Sequence, residues 1–220
     1  MKNLNHPWSR FVAHLEALFI DHELLRMAYR NFYPLSNNAF RSNHPSPTFL
    51  KKLKSKYDLK TVISLRGADL SGQYALEKEA CDKLGITLIN HPLSSRELPT
   101  TERVLKAKQI LENAEYPILI HCKSGADRAG LMSVLYRHFI EGDPLEIAVK
   151  QLSMKYGHFR WADTGRLDFF FDKFFEYQQT NPDTDFLTWL QTVYDKSALD
   201  NEFKATGWAN IVVNMLLKRE

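Results

Sequence analysis

The sequence predicts an α/β fold with a central, mostly parallel sheet flanked by helices and additional N- and C-terminal helices. Two patterns support this prediction. Between residues 60 and 140, short apolar segments of strand length alternate with amphipathic segments of helix length. That order is typical of parallel sheets built from right-handed strand–helix–strand units and covered on both faces. On either side of this stretch, apolar residues recur at helical spacing.

The chain is expected to divide into three parts. Residues 1–37 would form an N-terminal helical extension, residues 38–180 the α/β domain, and residues 181–220 a C-terminal helical extension packed on that domain. Helical periodicity over residues 10–33 predicts two short helices or one bent helix. A short strand or turn is expected near Ala39–Arg41. Ser46 followed by Pro47 then predicts a helix that ends near Tyr57.

The middle of the chain contributes the rest of the sheet. Strands are predicted at Lys60–Leu65, Ile86–Asn90 and Tyr116–His121, and helices at Ser71–Leu84, Pro99–Ala114 and Ala129–Ile140. Toward the C-terminus, Asp143 and Glu146 around Pro144 have the spacing of a helix start. Further helices are predicted over residues 164–178, from Asn181-Pro182 onward, and near residues 208–217.

The segment HCKSGADRAG, residues 121–130, links the last predicted strand to a helix. Cys122 follows the strand, and Arg128 comes six residues later with Gly125 between them. A parallel strand delivers such a cysteine to the carboxyl end of the sheet, where open α/β folds bind ligands. The backbone N–H groups of the loop and the N-terminus of the following helix can then face one bound phosphate.

Each residue type suits that chemistry. Gly125 permits backbone conformations denied to other residues, and the planar guanidinium of Arg128 can hold two phosphate oxygens. The same electrostatic field favours the thiolate of Cys122 over the thiol. One loop is therefore expected both to bind a phosphate group and to attack it.

This segment resembles the signature loop of the protein tyrosine phosphatase superfamily, His-Cys-x5-Arg, and is similar to its small bacterial dual-specificity-like branch. The resemblance covers roughly residues 38–155 and implies a cysteine-phosphatase-like domain. It implies a phosphomonoesterase in which Cys122 forms a phosphocysteine intermediate and Arg128 stabilises the transition state. The backbone of Lys123, Ser124, Gly125 and Ala126 would cradle the phosphate. No cofactor and no metal would be needed.

Two departures from the family pattern matter. The family usually has Ser or Thr after the arginine, where this chain has Ala129, so hydrolysis of the intermediate could be slow. It also usually places an aspartic acid on a loop about 30 residues before the cysteine. The matching residues 91–99 contain Glu97 as their only carboxylate, and Asp127 within the signature loop is the second candidate general acid. Both candidates stay open.

Several residues near the loop have both a functional and a structural interpretation. Lys123 would select highly charged phosphates, or it is a solvated lysine on the loop rim. Arg66 would reach the same sheet edge as Cys122 and bind substrate or brace the loop, or it forms a structural salt bridge. His121 is expected to order the loop by hydrogen bonding. Cys81, inside a predicted helix, is expected to be structural.

Composition bears on compartment and partners. With only two cysteines, no disulfide framework is expected and a reducing compartment is favoured. No secretory signal and no bilayer-spanning apolar run are found, so we predict a soluble cytoplasmic protein. The net charge of +3 suits a phosphorylated substrate, either a phosphoprotein or a phospholipid or inositol phosphate. No nucleic acid is expected, while peripheral contact of the basic N-terminal stretch with a membrane stays open.

Three functions remain open at this stage. A protein tyrosine or dual-specificity phosphatase is the default, and a lipid or inositol phosphate phosphatase is the alternative within the same chemistry. A phosphate-recognition module with weak turnover is the alternative of another class, kept open by Ala129 and the missing aspartic acid. The length of the segment from Cys122 to Arg128, seven residues, argues against a sulfurtransferase.

Overall fold

The computed structural model describes residues 29–68 and 71–204, and these contain a five-stranded sheet in the order β1-β2-β5-β3-β4. The pair of β1 and β2 is antiparallel, whereas the other three pairs are parallel. The predicted α/β class with a mostly parallel sheet is confirmed. The strands are β1 (Tyr33–Pro34), β2 (Ala39–Ser42), β3 (Thr61–Ser64), β4 (Thr87–Asn90) and β5 (Ile118–His121).

The described helices lie between and after these strands. They are α1 (Pro47–Tyr57), α2 (Gly72–Leu84), α3 (Thr101–Asn113), α4 (Asp127–Phe139), α5 (Leu145–Ala148), α6 (Arg166–Thr180), α7 (Phe186–Thr192) and α8, described over residues 196–204. The predicted cap of α1 is present, since the Ser46 hydroxyl accepts a hydrogen bond from the Phe49 amide at 3.3 Å. Gly85 ends α2 in the left-handed conformation, directly after the predicted helix end at Leu84.

The strand register brings three chain segments to one edge of the sheet. His121 at the end of β5 pairs with Ser42 of β2 on one side and with Ser64 of β3 on the other. The chain leaves all three parallel strands in the same direction, so the residues that follow them lie close together. Cys122 follows the central strand of this set, which places it in the middle of the edge.

The two faces of the sheet bury different groups because side chains alternate along a strand. Phe40, Val62 and Leu119 belong to one apolar cluster with residues of α1 and α2. Their neighbours along the strands project to the opposite face, where α4 contacts β2 and β5. Arg41 therefore projects from β2 to the α4 face, and His121 projects from β5 to the α2 face.

The structure separates into two compact units. Of the described residues, the first contains 29–68, 71–93 and 106–158 and includes the five-stranded sheet. The second contains Ser94–Leu105 and residues 159–204, and it is built on aromatic packing among α6, α7 and the residues that follow. The helix predicted over residues 164–178 is present as α6, and its buried face consists of Leu167, Phe170, Phe171 and Phe174. The three-part division at residues 37 and 180 stays a prediction.

Several predicted elements differ from the structure. Residues 29–32 are not helical, and Tyr33 lies in β1; the remainder of the helical prediction over residues 10–33 lies outside the described residues, as does the helix at 208–217. α5 begins at Leu145 without a side-chain cap, because the Asp143 carboxylate accepts a hydrogen bond from Arg137 Nε at 2.5 Å instead.

The start predicted at Asn181-Pro182 is also wrong. Asn181 Nδ2 donates to the Tyr177 carbonyl at 3.1 Å at the end of α6, and α7 begins only at Phe186. Asp185 is the cap of α7, since its carboxylate accepts from the Thr188 amide at 2.8 Å. Within the described residues, no helix has the length and apolar character needed to cross a bilayer.

Candidate active site

The phosphate loop, Cys122–Arg128, joins β5 to α4 at the centre of the sheet edge. Cys122 is 1% exposed, and its Sγ accepts a hydrogen bond from the Gly125 amide at 3.2 Å. Arg128 lies in the first turn of α4 and is partly buried, and its Nη1 donates to the Leu65 carbonyl at 3.4 Å. The structure thus brings the Gly125 amide to Cys122 Sγ and anchors Arg128 to the segment that follows β3; the catalytic roles of these residues stay predictions.

A buried arginine holds this loop from behind. Arg41 is 0% exposed, and its Nη2 donates to the carbonyl oxygens of Gly125 at 2.8 Å and Ala126 at 3.0 Å. Its Nη1 donates to the Gln151 carbonyl at 2.8 Å, and its guanidinium lies 4.1 Å from the centre of the Tyr156 ring. Burial lowers the pKa of Arg41 to about 10, so the group stays cationic at neutral pH.

Asn31 binds the carbonyl group that precedes these two in the loop. Its Nδ2 donates to the Ser124 carbonyl at 3.0 Å, while the N–H of the same peptide group, that of Gly125, donates to Cys122 Sγ. A peptide group presents its N–H and C=O on opposite sides. Since the carbonyls of Ser124, Gly125 and Ala126 are all bound from behind, their peptide N–H groups are turned away from Asn31 and Arg41. This is the arrangement of an anion-binding nest.

Gly125 fits a place that no other residue fits. Its φ of +78° lies in the left-handed region. A Cβ atom there would lie 2.7 Å from both the Asn43 amide nitrogen and the Ser42 carbonyl carbon. The end of β2 therefore presses directly on the phosphate loop, and only hydrogen leaves room for both backbones.

The other residues in and next to the predicted phosphate cradle differ in their exposure to solvent. Lys123 and Ser124 are exposed, whereas Ala126 and Ala129 are buried. The Ser124 hydroxyl accepts from the Ala126 amide at 3.3 Å, so it is engaged within the loop. Ala129 has no hydroxyl group to match the serine or threonine that the family usually has after the arginine.

Behind Cys122, a buried acid faces a buried histidine. His121 Nε2 lies 2.6 Å from Oε1 of Glu77 on α2, and these side chains are 0% and 1% exposed. His44 lies beside them, its ring centre 5.1 Å from that of His121. Burial by itself raises the pKa of Glu77, but the facing imidazoles of His121 and His44 bring the pKa below its usual value. The predicted loop-ordering role of His121 thus has a specific partner.

These three side chains form a cluster with metal-binding donor types among the described residues, since their donor atoms lie within 4.8 Å of one another. Two ligands of a tetrahedral ion with bonds of about 2.0 Å would lie about 3.3 Å apart. The 2.6 Å distance between Glu77 Oε1 and His121 Nε2 is shorter, as expected for two side chains in direct contact.

The two candidate acids lie in different surroundings. Asp127 begins α4, and its Oδ1 lies 2.8 Å from Nδ1 of the buried His158. Glu97 is exposed and belongs to a segment, Ser94–Leu105, that is part of the second unit. Arg66 follows β3, and its Nη1 donates to Gln73 Oε1 at 2.6 Å, which engages the guanidinium with α2.

Sequence reasoning missed the groups that support the loop. Arg41 left a detectable signal, because a lone arginine interrupts a short strand between Phe40 and Ser42. Glu77 left another, since it lies one helical turn from the buried Ala80 and Cys81 on the apolar side of α2. Asn31 and His158 left none, because they meet the loop only through tertiary contacts.

The chain is similar to several known phosphatases. Residues 44–164 match the family model described as a DSP-PTPase phosphatase fused to NAD+ kinase. The dual specificity protein phosphatase TpbA of Pseudomonas aeruginosa strain PAO1 is 27% identical over 138 residues, which is 62% of this chain and 58% of TpbA. Its counterpart in strain UCBPP-PA14 is 26% identical over 124 residues and is matched over 53% of its length. The chain thus matches little more than half the length of these relatives.

Solved structures show the same fold. A crystal structure of P. aeruginosa TpbA in complex with pTyr superposes with a TM-score of 0.50 at 23% identity, covering 64% of this chain and 90% of that one. The catalytic core of the PP-IP phosphatase SIW14 from S. cerevisiae, in complex with citrate, superposes with a TM-score of 0.51 at 21% identity, covering 69% and 93%.

Replacing Gly125 by alanine should be more damaging than the same change at Gly142. Both glycines have a positive φ, +78° and +75°, but a Cβ at Gly142 would meet nothing within 4 Å. The backbone strain is therefore matched, and the difference isolates the contact with β2. We expect Gly125→Ala to lower the free energy of unfolding by about 1–3 kcal/mol more than Gly142→Ala, measured by urea denaturation. Equal losses would contradict the proposed contact.

Glu77→Gln should lower the free energy of unfolding by about 1–3 kcal/mol, because it removes the buried carboxylate that contacts Nε2 of His121. Glu79→Gln on the same helix is the control. It breaks an exposed pair with Lys83 and should cost below about 1 kcal/mol.

The contribution of Glu77 should also depend on pH. Because the native carboxyl has a lowered pKa, its stabilisation is present above the ordinary carboxyl range and is lost as pH falls through the lowered pKa. The difference in unfolding free energy between wild type and Glu77→Gln should narrow in acid, and a difference that widens there would contradict the lowered pKa of Glu77.

Proposed function

Because the chain belongs to the DSP-PTPase phosphatase family whose model it matches, we propose that it hydrolyses phosphate monoesters with Cys122 as the nucleophile. The observation that carries this proposal is the orientation of the Ser124–Gly125 peptide group. Its carbonyl is bound by Asn31, and its N–H points at Cys122 Sγ. A loop held this way offers donors to an anion at the position where the sulfur would attack.

The reaction has two steps. In the first, a Cys122–phosphorus bond forms and the ester bond breaks, while Arg128 and the loop amides stabilise the charge on the equatorial oxygens. An acid, Asp127 or Glu97, gives its proton to the departing oxygen. In the second step, water attacks phosphorus and releases the thiolate. Because Ala129 offers no hydroxyl to the departing sulfur, this second step is expected to be slow relative to family members that have one.

A phosphotyrosine or dual-specificity protein substrate is the default. It is supported by the likeness to the dual specificity protein phosphatase TpbA, one structure of which is in complex with pTyr. An inositol or lipid phosphate is the second candidate. The exposed Lys123 beside the cradle favours it, since an additional cation suits a substrate that carries several phosphates.

A phosphate-recognition module with little turnover is the alternative of another class. Ala129 and the absence of aspartic acid from residues 91–99 favour it. The two classes differ in their time course. A catalyst releases phosphate continuously, whereas a module that has lost the second step releases one equivalent of the alcohol and stops.

Cys122→Ser should reduce the turnover of 4-nitrophenyl phosphate by at least about 10³-fold, because the hydroxyl of serine is a much weaker nucleophile. Cys81→Ala is the matched control at the other cysteine. Cys81 is buried in α2, and burial raises the pKa of its thiol to about 12, so it stays protonated and unreactive. Turnover that survives Cys122→Ser would sink the proposed nucleophile.

A substrate panel should separate the two candidate substrates. We expect phosphotyrosine peptides to give the highest kcat/KM among phosphopeptides, inositol polyphosphates and phospholipid vesicles. Lys123→Gln should then leave peptide turnover nearly unchanged. If an inositol polyphosphate is the best substrate, Lys123→Gln should lower its kcat/KM about 5-fold or more, the effect of losing about 1 kcal/mol. That second result would replace the default by the alternative.

A further inference from the structure

We propose that His158 is a positioning residue that makes Asp127 the general acid, an inference that rests on the proposed phosphatase function. Nδ1 of His158 lies 2.8 Å from Oδ1 of Asp127. The imidazole is 1% exposed and the carboxylate 21% exposed, so a buried donor holds an acid that still reaches the surface. Oδ1 can accept from Nδ1–H whether or not the carboxyl is protonated. Oδ2 is then the atom that carries the transferable proton.

His158 is fixed relative to the phosphate loop by the turn that precedes it, which consists of Met154–Tyr156 and Gly157. Asn31 Nδ2 donates both to the Tyr156 carbonyl at 2.8 Å and to the Ser124 carbonyl at 3.0 Å, so one side chain joins the turn to the loop. The Tyr156 ring also lies against the guanidinium of Arg41. A Cβ atom at Gly157 would be in van der Waals contact with Ala126, 3.9 Å away. The turn is therefore joined to the phosphate loop through Asn31 and lies next to Ala126.

Asp127 has the location that an acid needs. It lies in the same loop as Cys122, directly before Arg128, so its distance from the bound phosphate is set by the loop itself. Among the described residues, its carboxylate has one hydrogen-bond partner, His158. A general acid must hold its proton in a defined direction near the leaving oxygen, and a carboxyl group anchored through one oxygen does so.

Every proton is accounted for in both steps without a change in the charge of His158. In the first step, the Cys122–phosphorus bond forms, the ester bond breaks, and the Asp127 proton goes to the leaving oxygen. In the second step, water attacks phosphorus, the sulfur–phosphorus bond breaks, and the water proton returns to the Asp127 carboxylate. The Nδ1–H of His158 donates to Oδ1 throughout.

A purely structural role for the pair predicts a different outcome. An aspartic acid at a helix N-terminus stabilises the helix, and a buried histidine can simply brace it. Loss of such a brace would lower turnover of every substrate by a similar factor. Loss of a general acid instead penalises substrates whose leaving group is strongly basic, because only these need a proton to depart.

The test compares kcat/KM for phenyl phosphate, with a basic leaving group, and 4-nitrophenyl phosphate, with a weakly basic one. In His158→Gln, whose amide cannot reach the position of Nδ1, phenyl phosphate should lose at least about 10-fold and 4-nitrophenyl phosphate less than about 3-fold. His158→Asn, whose amide nitrogen lies close to the position of Nδ1, should restore most of the phenyl phosphate activity. Asp127→Asn should show the same selectivity as His158→Gln, at about 100-fold.

His138→Gln is the matched control, since His138 lies at the far end of α4 and contacts the Asp143 carbonyl. It should leave the ratio of the two substrates unchanged. The inference is overturned if His158→Gln lowers both substrates equally, if His158→Asn gives no recovery, or if Glu97→Gln rather than Asp127→Asn carries the selectivity. Should His158→Gln fail to fold, an unchanged ratio in Asp127→Asn alone overturns it. The proposed function fails separately, through 4-nitrophenyl phosphate turnover that persists in Cys122→Ser.

Discussion

The site depends on the buried guanidinium of Arg41 and its hydrogen bonds to the back of the phosphate loop. Carbonyl oxygens that faced a phosphate would repel it, because they carry a negative partial charge. By binding the carbonyls of Gly125 and Ala126, Arg41 commits those oxygens to the protein interior. Asn31 does the same for Ser124. The N–H groups of these peptides then face away from Arg41 and Asn31, where those of Gly125 and Ala126 donate to Cys122 Sγ and the Ser124 hydroxyl, and the cation behind them favours an anion there.

Strand alternation distributes the supporting groups. Phe40 and Leu119 face the cluster with α1 and α2, so Arg41 projects to the other face and meets the loop, while His121 projects toward Glu77 on α2. The nucleophile is thus held from two sides of one sheet. A shift of register by one residue in β2 or β5 would exchange these faces and dismantle both supports.

The sequence predicted the sheet, and it predicted that a loop with Cys122 and a glycine joins a strand to a helix, because these features depend on local order. It could not predict the register that places Ser42 beside His121, and therefore it could not predict that the end of β2 closes on Gly125. The helix start predicted at Asn181 failed because the side chain there ends α6 instead. Support from Asn31 and His158 comes from residues distant in the chain, and no local pattern carries that information.

The central claim is that Cys122, held in this loop, attacks phosphorus directly. The most direct measurement is to mix the protein with excess 4-nitrophenyl phosphate, quench in acid within one turnover, and determine by mass spectrometry which peptide carries a phosphoryl group. A slow second step, as expected with Ala129, should let the intermediate accumulate. We expect a phosphorylated peptide that contains Cys122. A phosphoryl group found on another residue, or continuous turnover with none found on the protein, would contradict it.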